Sequence, residues 1–356
     1  MKKIVISGYY GFNNLGDEAV LAGIISLLKN KNKNLKITVL SASPKKTAEL
    51  YKVNAVSRTS LMQILAALAE ADLFISGGGS LLQDVTGSFS VPYYLGLAWL
   101  AKIQGTKTVY YAQGVGPLNQ NWSRKFTALT LNRFQLLGVR DQGSKNLLKD
   151  IGVKKEVELT VDPVFGLYDP LANKRQQIKG KIEVGISVRP WSVDYLGELA
   201  TALNQFARDK NIKFILFPMH QGSDNEISNQ LKRKLESEAE ILELPEAAEA
   251  ALKAFSQLDL FVGVRLHSLI FALLNQVPLL ALSYDPKIEG LMAEIDYLPL
   301  LKLKGLEAAE VVESLEAVFA ERYSLRKKIK EFLKKKKNEA QDFSELVLEE
   351  VDSCGS

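Results

Sequence analysis

Residues 71–82 read ADLFISGGGSLL, and residues 258–270 read LDLFVGVRLHSLI. Each stretch has Asp-Leu-Phe, an apolar strand, a turn, and then a helix beginning at a Ser. A chain that uses such a unit twice is built from two similar domains. Around the first copy lie KIVISGYY, KITVLSAS and KTVYYAQGVG; around the second lie EVGISVRP, KFILFPMH and PLLALSYD. These are short β-branched or aromatic runs. Between them apolar residues return at helical spacing, as at Val20, Ile24, Leu27 and Leu28 and along LMQILAALAEA. Alternating β and α elements predict parallel sheets covered on both faces. The expected fold class is α/β, with two Rossmann-like doubly wound domains facing a cleft. The expected boundaries are residues 1–172, 173–320 and a basic C-terminal helical segment with its tail at 321–356, with the polar stretch 169–182 as the linker.

The bulk numbers narrow the function. A chain of 356 residues can bury two cores. A net charge of +4 does not describe a general polyanion binder, so nucleic acid is not an expected partner. The long apolar stretch 261–274 is interrupted by Arg265 and His267, which predicts no membrane span. The start, MKK followed by IVIS, is too short for a signal peptide and points to a cytoplasmic protein. Cys354 stands alone, so no internal disulfide forms, and His220 and His267 are the only histidines; no metal site is expected. The basic cluster at 322–337 reads first as a solvated helix face, with contact to an anionic membrane as the second reading.

In open α/β sheets ligands sit beyond the C-terminal strand ends. That rule selects the loops 8–17, 76–80, 113–117, 140–144, 189–191, 218–222, 264–268 and 283–287. In SGGGS, the backbone of Gly77, Gly78, Gly79 and Ser80 can hold an anion at the start of the next helix, against a plain tight turn. In GVRLHS, Arg265 can grip a carboxylate or phosphate and His267 can donate a proton. The structural alternative pairs Arg265 with an acid and leaves His267 to cap a helix. Arg140 invites a surface pair with Asp141. His220 is either a substrate-orienting group or a loop histidine. In GFNNLGDE, Gly11 and Gly16 sit five apart, as in a P-loop, yet Asp17 and Glu18 stand where Lys and Ser or Thr would follow. The chain has no GxGxxG, GxxxxGK[ST], GxSxG or HExxH motif, so dinucleotide, P-loop and zinc-protease chemistry lose their usual support.

Taken in order, GFNNLGDEA, ISGGGSLLQD, YYAQGVGPL, VRDQGS, LTVDPVF, FPMH, GVRLHSLIFAL and SYDPKIEGL resemble the polysaccharide pyruvyl transferase family, in particular its bacterial CsaB-like branch. The resemblance implies a GT-B-like pair of domains. It implies transfer of pyruvate from phosphoenolpyruvate to the 4- and 6-hydroxyls of one sugar. In that branch the sugar is the β-N-acetylmannosamine of a lipid-diphosphate-linked disaccharide, and the product belongs to a secondary cell-wall polymer that anchors S-layer proteins. Carried onto this chain, the resemblance makes Arg265 and His267 catalytic and Arg140 donor-binding. The chemistry adds Asp17 as candidate base, Gly77–Ser80 and Arg265 as donor anchors, and Asn13, Asn14, Asp17 and His220 as acceptor contacts. No redox cofactor or metal is needed, and a lipid-linked acceptor places the work at the inner membrane face. Two other readings keep this fold: a nucleotide-sugar glycosyltransferase, which would release nucleoside diphosphate, and a silent glycan-binding module, which would bind acceptor without forming product.

Overall fold

The computed structural model describes residues 1–85, 89–170, 180–191, 194–220 and 222–352. Most of the expected linker and Cys354 lie outside these residues. Two compact units emerge: one is Met1–Leu167 with Lys336–Ser356, the other Tyr168–Lys335.

The first unit alternates β1 (Lys2–Ser7), α1 (Leu15–Lys31), β2 (Leu35–Ser41), α2 (Pro44–Tyr51), β3 (Asn54–Ser57), α3 (Leu61–Ala69), β4 (Leu73–Gly77), α4 (Ser90–Ile103), β5 (Lys107–Gln113), α5 (Asn121–Leu131), β6 (Leu136–Val139), α6 (Gln142–Asp150) and β7 (Glu158–Leu159). Its sheet runs in the order β3-β2-β1-β4-β5-β6-β7, and all pairs are parallel. The second unit repeats the scheme with β8 (Ile182–Ser187), α7 (Leu196–Ala207), β9 (Ile212–Leu216), α8 (Ser223–Lys234), β10 (Glu238–Ile241), α9 (Ala248–Lys253), β11 (Leu260–Gly263), α10 (Leu266–Leu274), β12 (Leu279–Ser283), α11 (Pro286–Ala293) and β13 (Leu300–Lys302). Its sheet order is β10-β9-β8-β11-β12-β13, again all parallel.

In both units strand order reverses beside the first strand, between β1 and β4 and between β8 and β11. The repeated Asp-Leu-Phe opens the strand at that reversal each time. Asp72 accepts the Lys3 N–H at 2.7 Å and Asp259 accepts the Glu183 N–H at 3.0 Å. Each Asp also donates its own N–H to the same neighbour's carbonyl, at 2.9 and 2.7 Å. The echo is therefore a device that fixes the register of the central pair, and Phe74 and Phe261 behind it are fully buried.

The C-terminal segment does not stand apart as a third piece. It belongs to one continuous helix, α12 (Ala308–Asp352). Leu325, Ile329 and Leu333 are buried, and Arg326 donates to the carbonyls of Leu258 and Gln276 at 2.7 and 3.2 Å, tying this part to the second unit. Further on, Phe343 meets the ring of Tyr111 edge-on at 5.1 Å in the first unit. Apolar residues at helical spacing run through both parts, so nothing breaks the helix between them.

Candidate active site

Every selected loop leaves the C-terminal end of a parallel strand. In the first unit the reversal point brings together the loop after β1 and the loop after β4. Asn14 caps α1, its side chain accepting the Gly16 N–H at 3.2 Å. The two acids that replace the P-loop lysine then divide. Glu18 is buried and accepts the Gly11 N–H at 2.7 Å and the Tyr51 hydroxyl at 2.6 Å, so it holds the loop in shape. Asp17 faces the triglycine turn. Gly78 and Gly79 have φ of +92° and +64°, and a Cβ on Gly79 would come within 2.6 Å of Asp17 Oδ1. Tyr10 is fully buried beneath them and donates to the Gly77 carbonyl at 2.7 Å. Burial, and after it the Asp17 charge, holds this phenol well above its ordinary range.

One expectation for this turn needs correction. No helix starts at Ser80; the next one, α4, starts at Ser90. The turn therefore lacks a helix dipole aimed at an anion, and the Asp17 carboxylate sits against it. The glycines are accounted for by left-handed backbone and by the close approach of Asp17 and Tyr10. Asn13, at φ 58°, is exposed and accepts from Lys46 at 2.7 Å.

Arg140 does not pair with Asp141. It forms a 2.5 Å ion pair with Asp162, the two side chains 7% and 5% exposed, and donates to Ser80 Oγ at 3.2 Å. Asp141 caps α6 by accepting the Ser144 N–H at 2.7 Å. The Ser144 hydroxyl accepts the Val115 N–H at 2.8 Å, and the Gln113 amide donates to the Ser76 carbonyl at 2.6 Å. The loops after β4, β5 and β6 are thus locked into one assembly containing Ser80, Arg140 and Asp162.

In the second unit the reversal point carries RLH. Arg265 stands at the N-cap position of α10 with extended backbone, and His267 lies in the first turn. The helix starts at Leu266, before the Ser268 expected to open it. The Arg265 side chain is 20% exposed and donates to the fully buried Asp224 carboxylate. Its Nε is buried with no hydrogen-bond partner among the described residues. The other Asp224 oxygen accepts the His220 N–H at 3.0 Å, and His220 Nδ1 lies 3.1 Å from the Ser223 hydroxyl. Arg265 and His220 are therefore joined through Asp224. Beside them, after β8 and β12, Arg189 donates to the Tyr284 hydroxyl and lies 4.5 Å from that ring, with Trp191 4.4 Å from the same ring.

Asp162 and Asp224 were not singled out in the sequence. Asp162 lies in the quoted LTVDPVF and Asp224 just after FPMH, but the pairing is tertiary. Among the described residues no group of three or more His, Cys, Asp or Glu is placed to hold a metal ion. No helix among them is long and apolar enough to cross a membrane.

These features define a GT-B-class α/β protein: two Rossmann-like units, each with its polar residues at the strand-order reversal. Solved structures agree on the fold. Anabaena Alr3699/HepE in complex with UDP and glucose is 14% identical with a TM-score of 0.67, covering 98% of this chain and 100% of that one. The UDP-GlcNAc 2-epimerase from Neisseria meningitidis bound to UDP-GlcNAc is 15% identical with a TM-score of 0.63, covering 99% and 100%. MurG of Acinetobacter baumannii is 10% identical with a TM-score of 0.58, covering 98% and 100%. At such identities the likeness shows the fold alone. No curated protein matches the chain. The family sequence model for polysaccharide pyruvyl transferases matches residues 14–286, so the chain belongs to the polysaccharide pyruvyl transferase family.

Proposed function

We propose that the chain transfers pyruvate from phosphoenolpyruvate to the 4- and 6-hydroxyls of a hexosamine in a lipid-diphosphate-linked acceptor, the β-N-acetylmannosamine of the CsaB-like branch. The observation that supports this best is the family match over 14–286 together with the state of its RLH motif. Arg265 is held by a buried carboxylate yet keeps an unused Nε, and His267 sits in the first turn of α10 beside it.

The reaction asks for few groups. Carbon C3 of the enol gains a proton and C2 takes a sugar hydroxyl, whose proton goes to a base. Phosphate leaves with the C2–O bond electrons, and the second hydroxyl adds at C2 to close the ketal, giving up its proton. His267 serves as general acid. Arg265 anchors the donor through the edge of its guanidinium not spent on Asp224. Arg140, paired with Asp162 and donating to Ser80, is the second donor-binding arginine of this reading. Asp17 is the base for the acceptor hydroxyl. Asn13, Asn14, Asp17 and His220 are the acceptor contacts of this reading.

The test is an acceptor panel with phosphoenolpyruvate as donor, following phosphate release and product mass. Phosphate release with a pyruvylated sugar supports the reading. Nucleoside diphosphate release from a nucleotide sugar, with no phosphate from phosphoenolpyruvate, would replace it with the glycosyltransferase reading. Acceptor binding without product would leave a glycan-binding module.

A further inference from the structure

Three consecutive helices of the first unit begin with exposed apolar side chains. Leu61 and Met62 open α3 and are 57% and 84% exposed, Phe89 precedes α4 at 84%, and Trp122 in the first turn of α5 is 45% exposed. In a parallel β–α–β sheet each helix starts where its preceding strand ends. These side chains therefore share an edge with the loop after β1, which contributes Tyr9 and Phe12, stacked at 4.1 Å and 39% and 36% exposed. Contacts join the pieces. Arg58 lies 4.8 Å from the Phe12 ring and 4.5 Å from the Tyr93 ring in the first turn of α4. Asp84 accepts the N–H groups of Asn119 and Gln120, each at 2.8 Å, at the start of α5.

At the starts of α2 to α5 the charge is basic, while Asp17 and Glu18 open α1 and Asp84 precedes α5 on the same edge. None of α2, α3, α4 and α5 has an acid in its first turn, although a helix N-terminus favours one. α2 instead begins Pro44-Lys45-Lys46, and α5 carries Arg124 and Lys125 next to Trp122. Helix α3 holds no charged residue at all. Exposed apolar side chains flanked by Trp, Lys and Arg match the interface of an anionic bilayer.

We propose that this apolar, cationic edge (Leu61, Met62, Phe89 and Trp122) seats the first unit on an anionic membrane, with Asp17 on the same edge. The seat on the bilayer stands on the surface itself; its use in presenting a lipid-linked acceptor rests on the proposed function. It differs from the 322–337 cluster, three of whose basic residues have partners within the protein. Arg326 binds two carbonyls, Lys334 pairs with Glu331 at 2.8 Å, and Lys336, nearly buried, pairs with Glu339 at 2.7 Å.

The experiment is flotation of the full chain with phosphatidylcholine vesicles, with and without phosphatidylglycerol. Wild type should float with the anionic vesicles only. Met62→Glu with Phe89→Glu should reduce the bound fraction about tenfold or more, with unchanged melting and unchanged activity on an acceptor lacking the lipid. Lys327→Gln with Lys330→Gln should bind as wild type. Wild type that fails to float, a Glu variant that still floats, or loss of binding only in the Lys variant would each overturn the proposal. So would self-association of wild type, without vesicle binding, that the Glu variant abolishes. Vesicle binding without pyruvyl transfer would sink the enzymatic reading alone, and transfer to a lipid-free acceptor without vesicle binding would sink this one alone.

Discussion

Arg265→Lys separates the two jobs that Arg265 is assigned. Asp224 is fully buried and needs a cation; the Arg265 side chain is 20% exposed. Lysine keeps the charge but replaces the guanidinium fork with one ammonium group. It can satisfy Asp224 or the donor, not both with the same geometry. A hydrogen bond to a charged group is worth about 1.5–3 kcal/mol, so phosphoenolpyruvate affinity should fall about 10–150-fold. Melting should move by less than about 2 °C, because the buried carboxylate keeps a partner. Arg265→Ala is the contrast. Removing one partner of a fully buried pair costs about 3–5 kcal/mol; the partial exposure of Arg265 brings the expected cost to about 2–3 kcal/mol. For a domain of this size that lowers Tm by about 5–10 °C. Calorimetric titration with phosphoenolpyruvate and thermal melting read the two effects. If the Lys variant binds phosphoenolpyruvate like wild type, Arg265 is only the structural partner of Asp224 and the donor role is wrong.

Three further outcomes follow from the geometry. His267→Gln should lower kcat by about 10²–10⁴ while leaving phosphoenolpyruvate binding in place; near-normal turnover would remove the general-acid role. Asp17→Asn, nearly isosteric against Gly79, should slow transfer without weakening donor affinity, whereas a change confined to melting would leave Asp17 a loop-shaping residue. For Asp84, burial disfavours the charged form, but the N–H of Asn119, the Ser123 hydroxyl and the N–H of Gln120 outweigh it and hold the carboxyl below its usual range. A lowered folded-state value means the stabilisation is present above the ordinary carboxylate pKa of about 4 and is lost as pH falls through the lowered value. Asp84→Asn should therefore melt earlier at neutral pH, by about 0.5–1 kcal/mol of stability as for a lost cap, with the gap closing in acid; a gap independent of pH would show that the charge is not what matters.

The repeated Asp-Leu-Phe made two parallel sheets legible because buried central strands leave continuous apolar runs. The edge strands β3, β7, β10 and β13 were missed: they are two to four residues long and carry polar residues such as Asn54, Glu238 and Glu240. RLH was legible because an Arg and a His between an apolar strand and an apolar helix demand an explanation. Their partners were not. Asp162 is 22 residues from Arg140 and Asp224 is 41 from Arg265, distances that only the fold closes. The helix expected at Ser80 was misplaced for a local reason: glycines that turn past Asp17 and Tyr10 look, in sequence, like glycines that open a helix. The missing P-loop lysine drew attention to Asp17 and Glu18, and Glu18 proved to be the loop's own anchor.

The central claim is a ketal built from phosphoenolpyruvate. Phosphoenolpyruvate isotopically labelled at C2, incubated with the protein and a hexosamine acceptor and followed by NMR, tests it most directly. The account predicts that the label moves to a ketal carbon bonded to both O4 and O6 of the sugar, with phosphate released in equal amount and product forming about 10²–10⁴-fold more slowly with His267→Gln. Label that stays in phosphoenolpyruvate across the acceptor panel, while the same protein moves a sugar from a nucleotide donor, would contradict it.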